Sequence, residues 1–305
     1  MDEPRNDEGV FHEGELRVQQ AFGERAQAQR NARMVGDAVP AGAAAFLAQQ
    51  RMLVLASLDD TGSPWVSLVF GEPGFASASD RGTVRIDRTL TRFLAGDALL
   101  ANLRVGAMLG LLAIDLGSRA RFRVNGTIAS SDEERIDLRV REAFGNCPKY
   151  IQRRRMIETE HAPRGDAGVF RGERLDPARQ ALIRRADTMF VASRHPARGA
   201  DASHRGGEPG FLEIVDDRTI RVPEYPGNGM HNTLGNLVVA REAGLAILDF
   251  EGGRLLQLSG SATVALAPNP RSWDFTVARW TELALPETLR WELLERSPFN
   301  PPPRV

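Results

Sequence analysis

Residues 201–229 open Asp201-Ala202-Ser203-His204-Arg205-Gly206-Gly207-Glu208-Pro209-Gly210-Phe211 and close Pro223-Glu224-Tyr225-Pro226-Gly227-Asn228-Gly229. The inner word Gly207-Glu208-Pro209-Gly210-Phe211 also stands 136 positions upstream, as Gly71-Glu72-Pro73-Gly74-Phe75. Two Gly and a Pro specify a turn, and recurrence at a fixed spacing is the mark of a repeated unit. At a spacing of 134, Asn102-Leu103 matches Asn236-Leu237, Gly110-Leu111 matches Gly244-Leu245, Asp115 matches Asp249 and Gly126 matches Gly260. The register holds across most of a domain with one two-residue shift, so the chain reads as two copies of one β-rich unit.

A length of 305 residues accommodates two domains of ordinary size, each with its own core. With 39 basic and 40 acidic residues the net charge is −1, which removes the long-range field that nucleic acid or a membrane surface would require. Cys147 is the only cysteine, so neither an intramolecular disulfide nor a Cys-based metal cluster is expected, and no metal-ligand spacing stands out. The acidic first residues lack an apolar leader, and the longest uncharged apolar run, residues 106–114, is too short to cross a bilayer. A cytoplasmic location is the expectation.

Taken in order, residues 1–10 read as disordered and residues 1–40 as a tail with surface helices. Pro40 starts an alanine-rich helix that leads into the first unit, residues 41–142. Short apolar strands follow at residues 52–57 and 65–70, joined by Asp59-Asp60-Thr61-Gly62, then at 75–79, 83–86, 107–115 and 119–130. A helix is expected over residues 91–103. Short strands with regular turns and one interposed helix point to a small antiparallel barrel. Residues 143–175 read as a linker in which Arg153-Arg154-Arg155 is a solvated helix face and residues 158–174 a surface loop. Asp176-Pro177 caps a helix before the second unit, residues 176–267. Residues 268–305 read as a helical tail carrying Trp273, Trp280 and Trp291.

Ser203, His204, Arg205 and Gly206 place a hydroxyl, an imidazole and a guanidinium fork before a Gly-rich turn, the donor set a phosphate monoester requires. Asn228 and Gly229, with Asn232 and Thr233 at the next helix start, add amide and side-chain donors. Each of these also has a plain reading, since arginines in turns are usually solvated and Asn-Gly is usually only a turn. The first unit has Ser67, Leu68 and Val69 where the second has Ser203, His204 and Arg205, so the polar donors are not demanded by the fold. It has Arg121, Arg123 and Asn125 where the second has Leu255, Gln257 and Ser259. Neutral drift after duplication would produce the same asymmetry.

The order of hairpin, Ser-x-Arg-Gly, Pro-Gly-Phe, Pro-Gly-Asn, Asn-Thr-Leu-x-Asn-Leu, Gly-Leu strand and Arg-Val-Asn-Gly strand resembles the pyridoxamine 5'-phosphate oxidase-like superfamily across residues 43–266. The words Phe-His-Glu-Gly-Glu at 11–15 and Asn-Cys-Pro-Lys-Tyr-Ile-Gln at 146–152 resemble a tandem branch of it. The resemblance implies a mainly β (α+β) fold of two tandem split β-barrels of the FMN-binding type with flanking helices, forming within one chain the pair its relatives form as dimers. It implies FMN in the cleft between barrels, with the phosphate on Ser203, Arg205, Asn228 and Asn232. Val222 and Pro223 would run along the ring, Gln257 would reach it, and Arg123, Asn125 and Trp65 would cover it from the first barrel. The first unit lacks the phosphate arginine, so one flavin per chain is expected. The lysine common near the phosphate in vitamin B6 oxidases is missing, which argues against that substrate.

Two functions from different classes follow from the resemblance. One is an FMN-dependent oxidoreductase acting on a small-molecule substrate or reduced nucleotide, and the other is a non-catalytic flavin- or haem-binding module. A deazaflavin enzyme would call for more basic residues. His204 and His231 are candidate proton donors, but surface hydrogen bonding is the favoured reading of each, and no catalytic residue is assigned. A lone Cys147 is more often inert packing than a redox thiol. A further homodimer through the tryptophan-bearing tail is compatible with the sequence.

Overall fold

The computed structural model describes residues 7–158, 168–267 and 269–302. Parts of the expected disordered start and surface loop, and Pro268 at the expected end of the second unit, lie outside them. Four helices come first, α1 (Asp7–Val10), α2 (Glu13–Ala21), α3 (Arg25–Ala32) and α4 (Ala41–Ala48). The first sheet is built from β1 (Met52–Leu58), β2 (Pro64–Gly71), β3 (Ala76–Asp80), β4 (Thr83–Asp87) and β5 (Thr91–Arg92). After the one-turn helix α5 (Leu99–Asn102) it continues with β6 (Met108–Asp115), β7 (Ala120–Ser131) and β8 (Arg135–Gly145). Next come β9 (Arg153–Glu158), β10 (Phe170–Gly172), α6 (Pro177–Arg185), β11 (Thr188–His195), β12 (Gly199–Gly206), β13 (Glu213–Ile214) and β14 (Thr219–Pro223). The helix α7 (Asn232–Val239) precedes β15 (Glu242–Asp249), β16 (Arg254–Ala265), β17 (Ser272–Ala284) and β18 (Leu289–Glu295).

Local chemistry explains the punctuation. Asp59 accepts from the Thr61 and Ser63 amides at 2.9 and 3.0 Å, and Gly62 takes a left-handed φ of 79°, which closes the β1–β2 hairpin. Asp176 accepts from the Arg179 amide at 2.9 Å and Pro177 sits in the first turn, so α6 begins where the sequence places it.

The first sheet runs β3-β4-β8-β7-β6-β1-β2-β5, and the second, read from its other end, β13-β14-β17-β16-β15-β11-β12. The first seven strands of the first order match the second strand for strand, β5 and β10 being peculiar to one sheet each, and each sheet curls into a split β-barrel. Leu53 and Leu55 of β1 fill the first barrel with Val69, Leu109 and Val124, while Met189 and Val191 of β11 fill the second with Leu245, Leu256 and Phe275. The alternate residues point the other way. Val54, Ala56, Val66 and Leu68 meet Phe190, Ala192, Ala202 and Ala246 in a third core between the barrels. Strands apolar on both faces are therefore buried on both faces. Two glycines let the barrels touch: a Cβ on Gly110 would lie 2.7 Å from the Ala200 carbonyl oxygen, and one on Gly244 2.6 Å from that of Pro64.

Several expected elements differ. Residues 91–103 form the two-residue β5 and one helical turn in place of a helix. The expected helical tail is instead two strands. In β17, Trp273, Phe275 and Val277 are buried at period two, and this strand pairs with both β14 and β16 to complete the second barrel, which thus extends past residue 267. Arg153-Arg154-Arg155 belongs to β9, paired with β18, and Arg154 is buried against Asp187 at 2.6 Å.

Candidate functional site

Strand alternation sorts the side chains of β12 into two sets, and both sets border the cleft. Asp201, Ser203 and Arg205 share one side, and Ala202 and His204 the other. Two side chains of β7 in the first barrel reach across to the first set. Arg123 donates to the Ser203 hydroxyl at 2.5 Å and to Asp201 at 3.3 Å, and Asn125 donates to Asp201 at 2.5 Å. From α7, Thr233 donates to Ser203 at 2.9 Å and Asn236 to Asp201 at 2.6 Å. The site is therefore assembled by both barrels.

Above this layer opens a cleft lined by Arg121, Arg123, Lys149, His204 and Arg205, with Tyr150, Tyr225 and Pro223 as its apolar walls. Arg121 donates to the Cys147 carbonyl at 2.8 and 2.5 Å, and among the described residues no carboxylate pairs with it. Desolvation, then repulsion from Arg123 and Arg205, pulls its pKa down to about 9. His204 is buried against the edge of Phe190, and among the described residues neither ring nitrogen has a hydrogen-bond partner. Burial, reinforced by Arg121 and Arg205, holds its pKa well below the usual range, so the ring is neutral. Unsatisfied buried donors and concentrated positive charge are both costly, and an anion relieves both.

Backbone strain gathers here too. Tyr150 and His231, with φ of 66° and 60°, both line the cleft and are two of the three non-glycine residues with positive φ among those described. Gly206 passes directly under the chain at Tyr150, whose carbonyl oxygen would lie 2.0 Å from an added Cβ.

Of the residues singled out from the sequence, Ser203, His204, Arg205, Gly206, Pro223, Asn228, Gly229, Asn232, Thr233 and Arg123 line this one cleft. Asn125 sits one layer behind, on Asp201, and Val222 is buried in the second barrel's core. Trp65 and Gln257 do not join them. They line a separate cleft with Asp59, Arg279 and Trp280. Gln257 donates to the Val66 carbonyl at 2.7 Å and to Asp97 at 3.0 Å. The reason is positional: Gln257 on β16 corresponds to Arg123 on β7, and since each strand faces the opposite barrel, the two must serve opposite clefts.

Beside that second cleft, between its lining residues Gly96 and Ala98, stands a carboxylate. Asp97 accepts from Ser67 at 2.7 Å, from the Leu99 amide at 2.9 Å and from Gln257, and burial pushes its pKa up. The two clefts thus share a framework and differ in charge. Sequence reasoning missed Glu224, inside the quoted stretch, and Arg121, Lys149 and Tyr150, which reach the first cleft from outside it; in particular, a lysine does line it.

One group of metal-ligating types, His12, Glu13 and His195, lies together among the described residues. The Nδ1 of His195 accepts from the Ala197 and Arg198 amides, both at 3.2 Å, which places its proton on Nε2, where it donates to Glu13 at 3.1 Å. The Nδ1 of His12 caps α2 through the Gly14 amide. These lone pairs are already used.

No family model and no curated protein matches the chain. Among solved structures it is similar to pyridoxamine 5'-phosphate oxidase-like proteins. A provisionally assigned pyridoxamine 5'-phosphate oxidase from Lactobacillus delbrueckii is 11% identical with a TM-score of 0.30, covering 36% of this chain and 94% of that one. A FAD-binding protein from Mesorhizobium loti is 6% identical with a TM-score of 0.28, covering 39% and 100%. HutZ, the haem storage protein from Vibrio cholerae, is 10% identical with a TM-score of 0.24, covering 38% and 93%. Likenesses this distant carry no functional argument, and the split-barrel fold rests on the strand order and packing above.

Proposed function

We propose that the cleft between the barrels binds the phosphate of FMN and that the chain is a flavoprotein, one flavin to each chain, acting as an oxidoreductase on a small substrate or reduced nucleotide. The observation that carries this reading is Arg121, which has no carboxylate partner among the described residues, beside a buried neutral His204 whose nitrogens have no hydrogen-bond partner among them either. The donors fit a phosphate monoester: guanidinium forks, a hydroxyl held by Arg123 and Thr233, and a glycine-rich rim. Tyr150, Tyr225 and Pro223 offer apolar walls to the rest of the ligand. Bound FMN would supply the hydride or electron transfer, while the chain binds, orients and excludes water. Asp97 beside the other cleft accounts for a single site.

The test is the absorption spectrum of the purified protein with mass analysis of released cofactor, followed by FMN titration of the stripped protein. One FMN per chain, with binding weakened by Arg121→Gln, is the expected result. A haem spectrum would support the storage-module reading, and equal FMN affinity in wild type and Arg121→Gln would overturn the assignment of this cleft.

A further inference from the structure

The rim of the cleft, residues 227–236, is held from one side by its own barrel and from the other by the helices α2 and α3, which belong to neither sheet. Gln27 donates to the Gly227 carbonyl at 3.0 Å, Asn31 to that of Asn228 at 2.7 Å, and Gln19 to that of Met230 at 3.1 Å. Glu24 bonds His231 at 2.9 Å, steadying a residue in left-handed strain, and Glu15 accepts from Asn232 at 2.5 Å. His12 meets Asn236 at 3.0 Å. Gly14 and Gly235 let α2 and α7 touch, since a Cβ on Gly14 would lie 2.1 Å from the Gly235 carbonyl oxygen. Carbonyls of a strained loop that are satisfied from outside keep their geometry only while the outside element stays docked.

We propose that α2 and α3 form a clamp that sets the phosphate-binding rim, that Glu15 is its positioning residue, and that the clamp loosens at alkaline pH. The proposal rests on the flavin reading for its ligand but not for its mechanics. Glu15 is buried, and the groups around it are His12 on its own helix cap, Asp201 on β12, Glu142 on β8, Arg123 on β7 and Arg198 in the β11–β12 turn. Arg123 and Arg198 are already engaged by Asp201 and Glu142. Burial, then the nearby carboxylates, raises the Glu15 pKa to about 8. A raised carboxyl pKa favours the docked state while the proton is on. Its contribution is full below the ordinary value of 4.5 and is lost as pH rises through about 8, where a second buried negative charge faces Asp201.

The experiment uses the full chain and two readouts between pH 7 and 9, a window above the phosphate's second pKa of about 6. One is FMN affinity by fluorescence quenching, and the other is amide hydrogen exchange of residues 227–236 without ligand, normalised to amides of β1. Wild type should lose roughly fivefold or more in affinity across the window, while rim exchange rises beyond the normalised baseline. Glu15→Gln, an isostere of the protonated acid, should abolish the change in rim exchange and leave only the part of the affinity loss that Arg121, with its pKa near 9, contributes. Glu24→Gln, which weakens the contacts to His231 and Arg271 and leaves Glu15 in place, should raise rim exchange at every pH and keep the pH dependence. Wild-type pH dependence of rim exchange persisting in Glu15→Gln, or rim protection unchanged from pH 7 to 9, would overturn the clamp. Rim exchange behaving as expected with no FMN bound would leave the clamp standing and remove the flavin reading.

Discussion

The Arg205 guanidinium donates to the Glu224 carboxylate, with Nε 3.2 Å from Oε2, at the end of β14 beside the cleft. The arginine that looks most dedicated to phosphate therefore already has an anionic partner. Arg205→Gln should cost a charge-assisted bond of about 1.5–3 kcal/mol, a roughly tenfold to hundredfold loss of FMN affinity. Glu224→Gln should act in the opposite direction, tightening FMN by roughly tenfold, and titration of both variants checks the pair.

Arg121 carries the opposite signature in stability and in binding. Without a carboxylate partner among the described residues it is a burden on the ligand-free protein, so Arg121→Gln should raise stability by about 1 kcal/mol, or about 1–2 °C in Tm. The same variant should bind FMN at least tenfold more weakly. Calorimetry with and without FMN reads both signs, and a variant less stable when ligand-free would mean the charge is already compensated.

His12 sets an acid limb. Burial, then repulsion by His195, lowers its pKa to about 4, so the folded state holds the ring neutral. A depressed histidine contributes stability above its ordinary value of 6.5 and loses it as pH falls toward 4. The stability gap between wild type and His12→Gln in urea should therefore narrow from pH 7 to pH 4.5. A gap that stays constant would show that the imidazole does not titrate against folding.

The contact between barrels admits no side chain at Gly110 or Gly244, because the nearest atoms are backbone and cannot turn aside. Gly110→Val and Gly244→Val should each destabilise by about 1–3 kcal/mol or more. Urea unfolding measures this, and two tolerant variants would mean the barrels can separate slightly without loss.

Much of the architecture was legible because it lies in local patterns. Alternating apolar runs, Asp-Gly turns and the Asp176-Pro177 start are short-range signals, and the matching of Gly110 with Gly244 anticipated two positions that do the same work. The strand β17 was equally readable, since Trp273, Phe275 and Val277 alternate at period two, but three tryptophans among charged residues suggested an amphipathic tail. The cleft was harder. Ser203 and Arg205 are neighbours in sequence, whereas Arg121, Lys149 and Tyr150 arrive by a chain crossing that no spacing rule encodes. The misplacement of Gln257 could have been avoided, because a residue matching Arg123 in the other unit must belong to the other cleft.

The position of β17 also bears on how the molecule is made. The first barrel has all its strands once residue 145 has left the ribosome, but in the second barrel β14 and β16 both wait for residues 272–284. During synthesis the outer face of the first barrel, carrying Val54, Val66 and Leu68, is complete long before the surface that covers it. The nascent chain therefore passes through a stage of more than a hundred residues in which a finished apolar face has no counterpart. Chaperone dependence of this protein should be greatest in that interval, and a truncation before residue 272 should expose the same face permanently.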